Sequence, residues 1–306
     1  MRVFISSTYQ DLTEYRKKTA EAIERLGQRG VRMEVFGARP ENATYVCRSE
    51  IGESDIFVGI YAHRYGFIPE GFQQSITEME YHFARGRHMP TFCFFVDEDF
   101  PWLPAFVEGD LGRSKLQAFK AQIGLEVVRD SFTTPEDLAF KVAASLGKYL
   151  VTRIVKDELN RAANNNRPVG TEQSRDQVAR RAQRLSSIVK GGSILLVDDS
   201  LSQLIHVSSI LESLEVTLKT ATQTKEALEI LSTQTVDIVI SDISRGPLAD
   251  EGLKMLEQMR KDGFGCPVIF YVNQLQLGVP PYAFGIANRV DELLNLTFDA
   301  FERVRG

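Results

Sequence analysis

Apolar residues come in short runs along two stretches of the chain. Each run is followed by a segment in which they recur every three or four positions, the signature of a strand leading into an amphipathic helix. In the first stretch Arg2 to Ser6 reads as a strand. Leu12 to Leu26 reads as a helix, with Tyr15, Ala20, Ala22, Ile23 and Leu26 on one face. Val31 to Phe36 is a second predicted strand, broken by Gly37-Ala38-Arg39-Pro40, and Asn42 to Ser54 a second helix. Asp55 to Tyr61 has an uninterrupted apolar centre, as a strand covered on both faces requires. After a loop with Gly66, Pro69 and Gly71, the pattern predicts a helix over Ile76 to Gly86 and a strand over Thr91 to Val96. Pro101 to Leu111 reads as irregular, Ser114 to Ile123 as helical and Glu126 to Arg129 as extended. Pro135 to Val155 reads as a long helix, capped by Thr134 and favoured by Pro135-Glu136-Asp137 in its first turn.

From Lys156 to Lys190 the pattern changes. Asn164-Asn165-Asn166-Arg167-Pro168 and the charges Arg175, Arg180, Arg181 and Arg184 leave no deep apolar periodicity before Leu185. This stretch reads as a linker, part loop and part exposed helix. Gly191-Gly192 then opens a second series. Strands are predicted at Ser193 to Val197, Val216 to Thr220, Val236 to Ser241 and Val268 to Val272, with a short fifth near Phe284 to Ala287. Helices are predicted at Ser202 to Leu214, Thr224 to Thr233, Asp250 to Asp262 and Val290 to Val304. Strand–helix alternation of this kind builds parallel sheets covered by helices on both faces. The expected class is α/β, with two doubly wound domains at 1–155 and 191–306 joined by a linker at 156–190.

Composition narrows the function classes. A net charge of −5 lacks the basic footprint of a nucleic-acid binder. No apolar run approaches the roughly 20 residues that span a bilayer, so no membrane partner is expected. Cys47, Cys93 and Cys266 are far apart and odd in number, and no secretory leader precedes the first strand. These features predict a reducing, cytoplasmic setting. The histidines, His63, His82, His88 and His206, do not pair with cysteines at zinc spacing.

Candidate chemistry sits at strand ends. Asp198 and Asp199 follow one buried strand and Asp242 another, and in an open parallel sheet both ends face one crevice. Three carboxylates there form a hard-oxygen site suited to Mg²⁺. With Gly252-Leu253 opening the next helix and Pro267-Val268-Ile269-Phe270 as the following strand, the segment resembles the response regulator receiver family. The resemblance implies a CheY-like fold and Asp242 as phospho-acceptor. It also implies Mg²⁺ held by Asp198, Asp199, Asp242 and the Ser244 carbonyl, and a phosphodonor partner such as a histidine kinase. The family's hydroxyl residue at the end of the fourth strand reads here as Val272, beside Tyr271 and Asn273. No lysine follows Lys261. A pseudo-receiver that serves interaction or self-association is therefore the alternative.

The opening Val3-Phe4-Ile5-Ser6-Ser7-Thr8-Tyr9-Gln10-Asp11-Leu12 with Tyr15-Arg16 carries a second resemblance. It continues in Ser54 to Val58, His63-Arg64-Tyr65-Gly66, Ser75-Ile76-Thr77-Glu78-Met79-Glu80-Tyr81 and Pro135 to Leu138. Over roughly the first 150 residues the chain resembles the DUF4062 family, which is similar to TIR domains of flavodoxin-like fold. Ser6, Ser7 and Thr8 end a strand where hydroxyls and amides hold a phosphate or ribose, or else Thr8 or Asp11 caps the helix. Ser75 and Glu78 fit a capping box. In TIR-like and nucleoside-deoxyribosyltransferase-like enzymes, a glutamate at the position of Glu80, followed by a small residue such as Ala84, stabilises the ribose as its glycosidic bond breaks. The competing reading makes Glu80 an exposed helix acid. Arg64 and Tyr65 line the same crevice, or Arg64 pairs with a surface acid.

Together these readings predict a signalling protein in which a receiver regulates or recruits a TIR-like nucleotide-binding module (Ser6, Ser7, Arg64, Tyr65). One alternative is an NAD⁺ or nucleotide N-glycosidase using Glu80. The other is a non-catalytic scaffold.

Overall fold

The computed structural model describes residues 1–35, 43–245, 250–275 and 278–306. Two compact units divide the chain, Met1–Gly147 and Lys148–Gly306. The predicted break at Gly37 to Pro40, the end of the predicted second strand at Phe36 and the predicted helix start at Asn42 lie outside the described residues.

Unit 1 is built from β1 (Arg2–Ser7), α1 (Thr13–Arg25), β2 (Arg29–Val31), α2 (Ala43–Gly52), β3 (Ile56–Tyr61), α3 (Ile76–Gly86), β4 (Thr91–Val96), α4 (Asp110–Glu126), β5 (Arg129–Phe132) and the first part of α5 (Pro135–Asn164). Its sheet runs β2-β1-β3-β4-β5, parallel throughout. Every residue of β3 is buried, as its continuous apolar run requires. β2 is short and falls earlier than the predicted strand at Val31 to Phe36. It is an edge strand matched only to Arg2, Val3 and Phe4, and a 3₁₀ turn takes over at Met33–Val35. β5 starts at Arg129 because α4 continues to Glu126, where the Val127 amide still closes on Ile123. The Thr134 hydroxyl accepts the Asp137 amide hydrogen at the start of α5 (3.2 Å).

Unit 2 holds the rest of α5, then α6 (Glu172–Val189), β6 (Ser193–Val197), α7 (Ile205–Ser213), β7 (Thr217–Ala221), α8 (Thr224–Thr233), β8 (Ile238–Ser241), α9 (Glu251–Lys261), β9 (Val268–Tyr271), β10 (Gly285–Ala287) and α10 (Val290–Arg305). Its sheet runs β10-β9-β8-β6-β7, again all parallel. Alternate residues serve opposite faces. Ile194, Leu196, Ile238, Ile240 and Ile269 pack with residues of α5, α6, α7 and α10. Leu195, Val197, Val239, Val268 and Phe270 pack with α8 and α9.

The stretch 156–190 differs from the sequence reading of a linker. Val155, Leu159 and Ala162 of α5 are buried in the unit 2 core, as are Val178, Ala179, Ala182, Leu185 and Val189 of α6. Asp291, only 1% exposed, ties α6 to α10. It accepts the Gly170 amide at 2.9 Å and the Ser174 hydroxyl at 2.5 Å, and pairs with Arg289 at 3.0 Å. Arg181 reaches from α6 to Asp299 and Glu302 at 2.5 and 2.6 Å. Of the charges that suggested a linker, Arg180 and Arg184 are exposed, whereas Arg175 and Arg181 are half-buried, Arg181 against α10. No helix among the described residues is long and apolar enough to cross a membrane.

Candidate functional site

In both sheets the order in which successive strands are added reverses between the first and third strands of the sheet's own series, and the carboxyl ends there frame a crevice. In unit 2 this crevice holds the acids. β6 and β8 are neighbours with Val197 opposite Ser241, so Asp198 and Asp242 leave adjacent strands at the same level. The Asp242 amide donates to the Val197 carbonyl (3.1 Å) and the Asp198 amide to the Ala221 carbonyl (3.1 Å). The Asp198 carboxylate turns back to accept the Ser200 amide at 2.6 Å.

Burial pushes the Asp198 carboxyl up from its ordinary value. The Ser200 amide opposes this, and the neighbouring Asp199 adds to it. Burial likewise raises Asp242. Amides of Ser244 and Ile243 pull it back down, and Asp198 and Asp199 push it up. The donor set suits Mg²⁺ in chemistry: hard oxygens whose mutual repulsion a divalent cation would relieve. Among the described residues, however, no three of His, Cys, Asp or Glu converge at metal-holding geometry.

Gly252 explains why that glycine accompanies the acids. A Cβ at this position would lie 2.3 Å from the Asp242 carbonyl oxygen, and the Gly252 amide donates to the Ile243 carbonyl at 2.8 Å. Val272 stands at the end of β9, its amide bonded to the Ala287 carbonyl (2.9 Å). Arg289 is held by Asp291 and Glu292 at 3.0 and 3.3 Å. The cation the sequence reading missed is Arg245, 4% exposed and three residues beyond Asp242. Its guanidinium donates to the Ser241 hydroxyl (2.5 Å), the Asp242 carbonyl (3.1 Å) and the Thr224 hydroxyl (2.9 Å). The only trace of it in the sequence is an arginine close behind an acid-ended strand.

In unit 1 the same crevice is a cleft of about 480 Å³, lined by Ser7, Thr8, Arg64, Gly66, Thr77 and Glu80 among others. Glu80 is 5% exposed, which overturns the exposed-acid reading. It is both paired and on the cleft wall, accepting the Ser6 hydroxyl at 2.6 Å. Burial pushes its carboxyl up to about 7, against hydrogen bonds from Ser6 and Cys47 that lower it. Ser7 donates to the Thr8 carbonyl (3.0 Å) and accepts from Arg16 (3.0 Å). Arg64 lies at the rim, bonded to the Gln10 side chain at 2.8 Å.

Tyr65 is not among the lining residues. Its hydroxyl donates to Glu78 and receives the Ser75 amide at 3.3 Å. The Ser75 hydroxyl caps α3 by accepting the Glu78 amide (3.3 Å). The reciprocal half of the capping box is replaced by Tyr65, because the Glu78 carboxylate turns to Tyr65 and Gln74. Neither Thr8 nor Asp11 caps α1, whose N-cap is Leu12 without a side-chain bond. The loop after β1 is pinned instead by Arg16, buried and bonded to the carbonyls of Thr8 and Tyr9 and to Glu34. Gly66 adopts φ +96°, a left-handed turn facing Thr8 and Thr77 that bulkier residues disfavour.

Comparison with known proteins agrees with the two-unit division. Residues 2–147 match the family model "Domain of unknown function (DUF4062)", and residues 194–279 match "Response regulator receiver domain". Similar solved structures include the Francisella response regulator 1452 receiver domain, 20% identical with a TM-score of 0.32, covering 37% of this chain and 98% of that one. The response regulator TrrA of Thermotoga maritima, in complex with Mg²⁺ and BeF, is 22% identical with a TM-score of 0.32, covering 36% of this chain and 98% of that one. Chemotaxis response regulator CheY4 of Vibrio cholerae is 22% identical with a TM-score of 0.31, covering 37% of this chain and 99% of that one. No curated protein matches the chain. Residues 2–147 thus carry a DUF4062 domain and residues 194–279 a response regulator receiver domain, joined in one chain.

Proposed function

We propose that this is a signalling protein in which the receiver domain regulates or recruits the N-terminal domain, a TIR-like nucleotide-binding module. The observation that carries this reading is the pairing of Asp198 and Asp242 at the same level of adjacent strand ends. Asp242 is the phospho-acceptor, and a phosphodonor such as a histidine kinase is the partner. Asp198, Asp199, Asp242 and the Ser244 carbonyl would hold Mg²⁺, which supplies charge neutralisation for phosphoryl oxygens. Binding is weak, because the acids must first converge and waters complete the shell. Titrating Mg²⁺ to millimolar levels into the full-length protein is expected to perturb amides around these residues. A spectrum that does not move, or moves equally in Asp199→Asn, removes the metal from this reading.

The switch is expected to be muted. In the family a lysine and a hydroxyl move onto the phosphoryl group, whereas this chain has Val272 and no lysine beyond Lys261. A ligand shifts a conformational equilibrium only by its differential affinity for the two states. Acetyl phosphate or a beryllofluoride mimic should therefore change conformation and self-association little, as read by scattering and amide exchange. A large Asp242-dependent rearrangement would contradict this and make Asn273 the first residue to mutate.

A second reading is favoured by the cleft that Glu80 shares with Ser7 and Arg64. Here the N-terminal domain cleaves the N-glycosidic bond of NAD⁺ or a related nucleotide. The base leaves with the bonding pair, water adds at the ribose C1′, and Glu80 stabilises the positive charge that builds between these events. Product analysis after incubation with NAD⁺ and related nucleotides tests it.

A further inference from the structure

We propose that Ser6 is a positioning residue for Glu80, its hydroxyl fixing the carboxylate on the cleft wall, and that it is not itself a contact for the ligand. The catalytic part of this inference rests on the reading in which Glu80 stabilises positive charge at a ribose.

Ser6 and Ser7 leave β1 on opposite faces of the sheet. Ser7 accepts a hydrogen bond from Arg16 of α1 at 3.0 Å. Ser6 shares its face with Phe4, which packs with Cys47 and Ile51 of α2 and with Tyr81 and Ala84 of α3. The Ser6 side chain is therefore directed at α3, where it donates to Glu80 at 2.6 Å. Ser6 is 1% exposed, and the cleft is lined by Ser7 and Thr8 but not by Ser6. A hydroxyl has a single hydrogen to give. That hydrogen is committed to Glu80, so none is left for a phosphate or a ribose.

Glu80 is the member of this pair that reaches the cleft. The groups that face it are Ser6 of β1, Cys47 of α2 and Tyr61 of β3, with Arg64 at the rim bonded to Gln10. Burial disfavours its ionised form, and the hydrogen bonds from Ser6 and Cys47 oppose burial without any cation. Only the ionised carboxylate meets positive charge developing at the ribose. A hydrogen bond to a charged acceptor is about twice as strong as a neutral one, so the Ser6 hydroxyl favours that form. The strand-end serine and the helix glutamate, far apart in sequence, thus act as one unit.

The test compares full-length wild type with Ser6→Ala and Ser6→Thr. The carboxyl carbon of Glu80 is followed by NMR against pH, assigned by its absence in Glu80→Gln, and turnover of NAD⁺ is measured from pH 6 to 9. Wild type should titrate near pH 7. In Ser6→Ala the midpoint should rise by about one pH unit. The ionised fraction at pH 7 then drops, and kcat with it by about fivefold. KM should stay unchanged and kcat should recover by pH 9. Ser6→Thr keeps the hydroxyl and should restore both profiles; if its extra methyl prevents folding, Cys47→Ala, which removes the other donor, should move the midpoint in the same direction as Ser6→Ala. An unmoved midpoint in folded Ser6→Ala, with wild type active, overturns the inference alone. So does a raised KM at every pH, which would make Ser6 a ligand contact, or a loss of kcat that pH 9 does not restore, which would make its role structural. Absence of turnover in wild type ends the N-glycosidase reading and the catalytic role of Ser6 together, whatever the midpoint does.

Discussion

Glu80→Gln is expected to abolish N-glycosidic cleavage while leaving the protein more stable than wild type at pH 8. The two effects have one cause. Glu80 is enclosed, and its carboxyl is raised from 4.5 to about 7, first by burial, against the opposing bonds from Ser6 and Cys47. Below about pH 4.5 folded and unfolded chains both hold the proton, and the group's favourable contribution is fully present. As pH rises from 4.5 towards 7 the unfolded chain gives up the proton while the folded one keeps it, so stability falls. Above 7 the loss is complete, roughly 3 kcal/mol at about 1.4 kcal/mol per pH unit. Glutamine still accepts the Ser6 hydroxyl hydrogen and never ionises. The variant should therefore lose this slope between pH 4.5 and 7 in urea unfolding. Losing a carboxylate that meets developing positive charge costs on the order of a hundredfold or more in turnover. Glu78→Gln should behave differently. Its carboxylate holds Tyr65 and Gln74, so about 1–2 kcal/mol of stability is lost and turnover is spared. Turnover surviving in Glu80→Gln removes Glu80 from the catalytic step, and absence of turnover in wild type ends the enzyme reading. A pH slope that survives shows that Glu80 ionises freely.

Starting the C-terminal half at residue 191 is expected to leave it unable to fold cooperatively, whereas starting it at Lys148 should preserve a sharp transition. The shorter form matches the receiver family segment but lacks Val155, Leu159, Val178, Leu185 and Val189, each buried against the sheet face that α7 and α10 also cover. Exposing one such side chain's site costs roughly 1.5–3 kcal/mol. Losing five together rivals the 5–15 kcal/mol that usually holds a domain. Asp291 would also lose the Ser174 and Gly170 donors that meet it inside unit 2. Urea unfolding of the two forms, followed by circular dichroism, decides the matter. Equal midpoints would mean that α5 and α6 contribute nothing to this core.

The alternation of strands and helices was readable because both sheets are parallel and buried, so their strands appear as compact apolar runs between turn residues. The acids at 198, 199 and 242 were readable for the same reason: they stand where such runs stop. α6 was not. Its buried stripe, Val178, Ala182, Leu185 and Val189, has helical spacing, but two of its five buried residues are alanines and arginines surround them. A thin apolar face against a large partner looks like an exposed helix until the partner is known. Arg16 and Arg245 were also hidden, because long cations are ordinarily surface residues and only tertiary structure shows what encloses them. Glu80 could be separated from Glu78 by position along the helix. Its enclosure depends on Ser6, which is 74 residues away in sequence.

Gly252 sets the direction in which the Asp242 loop can yield. The chain behind Asp242 has no clearance, since one added methyl at 252 would already overlap its carbonyl oxygen, and β8 below is fully buried. Added bulk on the aspartate therefore cannot be absorbed by recoil into the domain. It must be accommodated outward, through Ile243, Ser244 and whatever surface rests on them.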